Sequence, residues 1–346
     1  MTRWLDDPIA AADGLIESVL GDVLLSVAGR VLIANQHGRL RGQLKSRGVE
    51  ADLWNRRIAR NGEVACPWPA GGEFDCIILR LPKSKPEQDM TVHALAALLT
   101  HSGRLVIYGG NDEGIKPIAK RIGALFQTVD TRAARGHGRV IEASSLRADA
   151  TIKGALDQWA QVRDMTLGTT LGTGTRPWLS YPGLFAGGAL DEGTALLLTH
   201  LPPIADNAAV LDYGCGTGVV AAAILAATPS ANVTLLDNDT LALVAARHNS
   251  GASDTITGVS LDACGARRFD LIVSNPPLHV GVREDHGALE QLIASAPRFL
   301  KTNGVLQMVV QRRIPLERQL GQHFASVAIT AETNAYRIWR ASGAKR

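Results

Sequence analysis

Residues 274–280 read Ser-Asn-Pro-Pro-Leu-His-Val and follow the apolar run Phe269-Asp270-Leu271-Ile272-Val273. Two successive prolines have no N–H to donate and hold φ near about −65°, so the chain cannot extend a ladder there and turns a stiff corner. That corner fixes where the amide of Asn275 points. A second constellation, Asp212-Tyr213-Gly214-Cys215-Gly216-Thr217-Gly218, joins the apolar pair Val210-Leu211 to an alanine-rich run over 219–227. Glycines between a strand and a helix let the main chain approach a ligand more closely than any Cβ would allow. Dinucleotide sites use G-x-G-x-x-G under a pyrophosphate. Here an acid precedes alternating glycines, and its charge opposes a diphosphate and favours a ligand with an ammonium group.

S-adenosyl-L-methionine carries such a group. Asp237 closes the run Val233-Thr234-Leu235-Leu236 about 20 residues beyond the glycines, where a carboxylate can accept from two ribose hydroxyls. Asn238 beside it and Phe185 upstream are assigned to the same pocket, and Asp262 follows a third expected strand over 257–261, placed to accept from an adenine amine. The expected cofactor set is Asp212, Gly214, Gly216, Gly218, Asp237, Asn238, Asp262, Phe185 and Asn275. Asn275 ends the fourth strand, and ligands of open parallel sheets lie over the carboxyl ends, so its amide faces the donor methyl. An exocyclic aromatic amine is a poor nucleophile because its lone pair is delocalised. Carbonyl oxygens of Asn275 and Pro276 can accept both amine hydrogens and align that lone pair for attack, with Pro277 and Leu278 completing the catalytic set.

These residues need a scaffold of alternating strands and helices. Apolar runs over 210–212, 233–237, 269–274 and 305–310 alternate with helix-like stretches over 219–227, 241–249 and 289–299, which predicts an α/β fold with a mainly parallel sheet covered on both faces. The runs 325–330 and 336–340 are separated by a short polar turn and predict an antiparallel edge hairpin. The N-terminal half repeats the plan: Phe74-Asp75-Cys76-Ile77-Ile78-Leu79-Arg80 lies over Phe269 to Asn275 without a gap, and Leu98 to Gly103 over Phe299 to Gly304. That similarity points to duplication of a whole domain. Ile33 then stands where the second half has Asp212, no glycine triplet follows, and Arg80 and Leu81 replace Asn275 and Pro276. The first half keeps the sheet and loses the chemistry. Residues 166–188, rich in Gly, Thr and Pro, read as a linker, giving domains over 1–165 and 166–346.

A chain of 346 residues accommodates two domains, and 46% hydrophobic with 20% charged residues excludes disorder and coiled coil. A net charge of +3 permits a nucleic-acid partner without requiring one. The start lacks a basic-then-apolar signal and no apolar run reaches the ~18 residues that span a bilayer, so a cytoplasmic protein with no membrane partner is expected. Four cysteines without Cys-x-x-Cys spacing predict free thiols and no metal. Arg39, Arg41, Lys45, Arg47, Arg56, Arg57 and Arg60 form the densest basic stretch, with Trp54 inside it, and Arg132, Arg135, His137 and Arg139 form a second group. Such groups can position RNA phosphates while a pocket selects the base.

The acid-led glycine turn together with Ser-Asn-Pro-Pro-Leu resembles the amino-methylating branch of the class I methyltransferases. The duplicated halves, Leu81-Pro82-Lys83-Ser84-Lys85-Pro86-Glu87, Pro182-Gly183-Leu184-Phe185 and Asp191-Glu192-Gly193-Thr194 resemble the ribosomal RNA small subunit methyltransferase C family over nearly the whole chain. The resemblance implies two tandem Rossmann-like class I methyltransferase domains, with a mainly parallel seven-stranded sheet and an antiparallel C-terminal edge hairpin. It implies S-adenosyl-L-methionine as cofactor, 16S rRNA or the small ribosomal subunit as partner, and N2 of a guanine as target. The N-terminal half is then a support for RNA and for its partner domain that binds no cofactor, and a monomer is expected. In this branch an aromatic residue often follows the second proline and stacks on the base. Leu278 lacks that stacking, worth about 1–3 kcal/mol, and Phe185 is the alternative platform. Methyltransferases of adenine N6 or of a glutamine amide share Asn-Pro-Pro but generally lack a decayed copy in front. A nonenzymatic RNA-binding module is opposed by the intact Asp212, Asp237 and Asn275, and a nicotinamide dehydrogenase by the acid before the glycines.

Overall fold

The computed structural model describes residues 8–24, 29–36, 40–167, 174–276, 279–280, 283–284 and 287–345. The chain forms two compact units, Met1–Arg56 with Ala65–Ala160, and Arg57–Val64 with Gln161–Arg346. Among the described residues no helix is long and apolar enough to cross a membrane, and no His, Cys, Asp and Glu group has the makings of a metal site. All four cysteines are free thiols.

The first unit is a sheet in the order Ala51–Trp54, Val31–Ala34, Phe74–Arg80, Leu99–Gly110, Gly138–Leu146, Phe126–Arg135. The first four strands run parallel and the last two antiparallel. Every residue of Val31–Ala34 is buried because both faces of the sheet are covered. Leu32 and Ala34 enter one core with Ile77, Leu79 and Ile107, while Val31 and Ile33 enter another with Leu15, Ile16 and Ile78.

The second unit has a seven-stranded sheet in the order Asp254–Thr257, Asn232–Asp237, Ala209–Tyr213, Phe269–Ser274, Leu300–Gln311, Tyr336–Ala344, Phe324–Glu332. It is parallel up to Leu300–Gln311 and ends in the expected antiparallel hairpin. The two sheets share details down to single bonds. Asp75 accepts from the Arg30 N–H at 2.8 Å, and Asp270 accepts from the Ala209 N–H at 2.8 Å. A Cβ on Gly103 would lie 2.9 Å from the Phe74 carbonyl oxygen, and one on Gly304 2.8 Å from that of Phe269. These glycines let a strand pass close to its neighbour at the same point in both sheets.

Two expectations are corrected. The stretch 166–188, read as a linker, contains the strand Thr175–Ser180, which pairs antiparallel with Gln161–Thr166 just before it. Glycine and threonine between them suggested a loop, but alternate residues such as Met165 and Trp178 are buried in the core and hold the hairpin down. The strand expected over 257–261 in the second unit's sheet is Asp254–Thr257, so Asp262 lies beyond it on the single helical turn Leu261–Cys264.

Candidate active site

The carboxyl ends of four parallel strands in the second unit carry the predicted residues. Asp212, on Ala209–Tyr213, is buried and accepts at 3.1 Å from the N–H of Ala221, in the first turn of the helix Val219–Ala227. Burial pushes its carboxyl up to about 7, and nearby Asp237 adds to the rise. The glycine turn is left-handed at Gly216 (φ 52°) and Gly218 (φ 85°), but the two positions differ in surroundings. A Cβ on Gly218 would meet Ala246 Cα at 2.8 Å, whereas one on Gly216 would meet nothing within 4 Å. Gly218 serves helix packing; Gly216 borders open space.

Asp237 binds that turn to its own strand. One oxygen accepts from the Gly216 N–H at 2.9 Å and the other from the Asp239 N–H at 2.9 Å, leaving each oxygen further acceptor capacity. Enclosure by protein, then the like charge of Asp239, raises its carboxyl to about 6. Asp262 is exposed, and its Oδ1 accepts from Arg298 at 2.6 Å.

Asn275 follows Phe269–Ser274, and its Nδ2 donates to Thr194 Oγ at 2.9 Å and to the Asp191 carboxylate at 3.3 and 3.4 Å. Asp191 caps the helix Glu192–Leu198. Pro276 is buried, while Pro277 and Leu278 lie outside the described residues. Phe185 is 64% exposed in a turn where Ala186 and Gly187 take left-handed angles. An aromatic ring in water without a covering partner is available to stack on a flat ligand.

Sequence reasoning missed several residues that hold these loops. Trp178 Nε1 donates to Thr217 Oγ1 at 3.0 Å inside the glycine turn, and Asn249 Nδ2 donates to the carbonyls of Thr217 and Leu179. The segment Arg57–Val64 braces the other side. Arg57 pairs with Asp239 at 3.0 Å and donates to the Gly183 carbonyl at 3.3 Å. The Ile58 N–H donates to the Asn238 carbonyl at 3.0 Å. Asn61 accepts from the Val259 N–H and donates to Ser260 Oγ, both at 2.8 Å. For Asp191 and Thr194 a signal existed, since an acid before a small residue at a helix start is a capping pattern.

The predicted basic stretch divides. Arg41 and Lys45, on the helix Leu40–Ser46, are exposed, as are Arg47 and Arg60. Arg39 lies outside the described residues. Arg56 is 1% exposed and paired with Glu87 at 3.2 Å, and Arg57 is committed to Asp239; as phosphate contacts these two are corrected. In the first unit the place matching Asn275 is filled by charge. Arg80 donates to both oxygens of Glu113 at 2.7 and 3.0 Å and lies 3.4 Å from Asp13.

Residues 177–340 match the Methyltransferase small domain family and residues 30–161 the Methyltransferase small domain N-terminal family. The ribosomal RNA small subunit methyltransferase C of Stutzerimonas stutzeri (strain A1501) is 34% identical over 90% of this chain and 94% of its own. That of Shewanella halifaxensis (strain HAW-EB4) is 32% identical over 78% of each. The chain belongs to the ribosomal RNA small subunit methyltransferase C family. Its fold is also that of the T. thermophilus 16S rRNA N2 G1207 methyltransferase solved with AdoMet and guanosine, with a TM-score of 0.80, 21% identity and coverage of 98% of this chain and 93% of that one.

For this family the residues present fit a cationic nucleoside cofactor. The open space at Gly216, the buried Asp212 and the spare acceptor capacity of Asp237 lie along one sheet edge. The cation near them, Arg57, is paired with the buried Asp239.

Proposed function

We propose that the second unit transfers a methyl group from S-adenosyl-L-methionine to N2 of a guanine in 16S rRNA, the chain acting as a monomer in the cytoplasm on the RNA or the small subunit. The cofactor, when bound, supplies an electrophilic methyl on a sulfonium. Asp212 is the anion nearest the expected ammonium end, and Asp237 accepts from the ribose hydroxyls, with Asn238 alongside. Asn275 Oδ1 and the Pro276 carbonyl accept the amine hydrogens, which turns the nitrogen lone pair toward the methyl. No strong base is required, because the proton becomes acidic only once the N–C bond forms and then leaves to water. Pro277 and Leu278 form the apolar side of the base pocket, and Phe185 supplies the stacking face. Exposed Arg41, Lys45, Arg47 and Arg60, with Arg39, contact phosphates, and the first unit binds no cofactor.

The observation that carries the reading is the Asn275 amide at a strand end in the same sheet edge as Asp212, the glycine turn and Asp237. The guanosine in the T. thermophilus complex favours guanine over adenine. Purified protein with methyl-labelled cofactor should mark 16S rRNA or small subunits from a strain lacking the gene. Nucleoside mass analysis should give N2-methylguanosine; N6-methyladenosine, or no label, refutes it.

A further inference from the structure

We infer that Asp191 and Thr194 are positioning residues that set which end of the Asn275 amide meets the substrate, and so make the site selective for amino groups; this rests on the methyltransferase reading. A carboxylate only accepts. The Asp191 oxygens receive the N–H groups of Gly193 and Thr194, and Asp191 Oδ2 also takes the Thr194 hydroxyl proton in a short hydrogen bond. A hydroxyl has one proton, and that of Thr194 is spent on Asp191. Toward Asn275 the same oxygen can therefore only accept, and Asn275 Nδ2 donates to it at 2.9 Å. Turning the amide over would set Oδ1 against a hydroxyl lone pair and a carboxylate, with no donor between them.

The order of donors is thus fixed from helix cap to corner: Asn275 N–H to Thr194 oxygen, Thr194 O–H to Asp191. The half-buried Asp191 and the buried Thr194 keep it out of bulk water. Asn275 Oδ1 is left facing away from the helix as an acceptor. A ligand that brings an N–H is held there, whereas a carbonyl or a ring nitrogen lone pair is repelled. Rejection of that kind is stronger than what shape alone provides, because a mismatched buried polar group stays unpaired. An exocyclic amine satisfies the demand; a nucleobase carbonyl does not.

Three full-length variants test this. Thr194→Val removes the hydroxyl, Thr194→Ser restores it, and Asp191→Asn keeps a capping side chain while adding an N–H that can face Thr194. Methylation of small subunits should fall about tenfold or more in kcat for Thr194→Val and Asp191→Asn, with cofactor affinity by calorimetry unchanged within about twofold, and Thr194→Ser should recover. With selective 15N-asparagine labelling, the Asn275 carboxamide protons, identified by their loss in Asn275→Ala, should exchange slowly in the wild type and quickly in Thr194→Val. Unchanged kcat in both variants, or equal losses of cofactor affinity and kcat, overturns the inference. If Thr194→Val does not fold, Asp191→Asn and the wild-type exchange rate decide. A wild type inactive on RNA sinks the parent reading alone, since the exchange measurement still judges the hydrogen-bond order.

Discussion

The Arg57 guanidinium meets the Asp239 carboxylate at 3.0 Å, so a side chain from the segment Arg57–Val64 ends beside the turn that carries Asp237. Asp239 is buried and caps the helix Thr240–Ser250, accepting from the Leu241 N–H. Arg57→Ala leaves that carboxylate with less compensation. Because Arg57 is about one-third exposed, solvent screens part of the loss. The expected cost is on the order of 1 kcal/mol in urea unfolding, together with a several-fold weaker cofactor affinity by calorimetry.

Asn275→Ala should lower kcat by about 10²–10³ while cofactor affinity changes far less, because the amide oxygen is proposed to hold the methyl acceptor and only borders the donor methyl. Loss of cofactor binding in this variant would mean that the amide instead belongs to the cofactor pocket.

Gly216 and Gly218 should respond in opposite ways to alanine. At Gly218 the new Cβ meets Ala246 at 2.8 Å under a positive φ, so the expected result is a loss of stability of about 2 kcal/mol or more. At Gly216 the space is open and only the backbone strain remains, about 1 kcal/mol, but cofactor affinity should fall because a methyl group enters the ligand's space. Melting curves with and without cofactor separate the two.

The pH dependence follows from the raised carboxyls. Burial pushes Asp212 up to about 7 and Asp237 up to about 6 in the folded chain, against about 4 when unfolded. Between about pH 4 and 7 the folded chain then holds more protons than the unfolded one, so these two groups make stability fall as pH rises. Asp212→Asn should flatten that slope in thermal melts. A bound cation favours the ionised carboxylates, so cofactor affinity should rise from pH 5.5 to 7.5 with release of protons, measurable by calorimetry in buffers of different ionisation enthalpy.

What the sequence revealed was whatever short range determines. Asp212, the glycines, Asp237 and Asn275 each belong to a strand and the turn after it, and apolar patterning locates such turns. The edge hairpin Phe324–Glu332 with Tyr336–Ala344 was legible for the same reason. The partners of those residues were not. Asn275 reaches Asp191 and Thr194 from another element, and the clamp of Asn249 on Thr217 and Leu179 joins three. No spacing rule encodes such meetings. Arg56 looked like a surface cation because arginine usually is one, and only Glu87, placed by the fold, explains its burial. The hairpin over 161–180 was hidden by glycine-rich and threonine-rich composition, although Trp178 anchors it.

The Arg80–Glu113 pair has an evolutionary meaning. Both side chains are almost wholly shielded from solvent. Replacing Glu113 leaves Arg80 with Asp13 alone, and replacing Arg80 leaves Glu113 charged in the interior with only the Gly110 N–H to answer it, the latter at about 3–5 kcal/mol, a large share of a typical domain's total stability. A single substitution that opened space at that strand end would therefore carry this cost. On the proposal that the first unit is a copy that binds no cofactor, this electrostatics works as a ratchet that keeps it so.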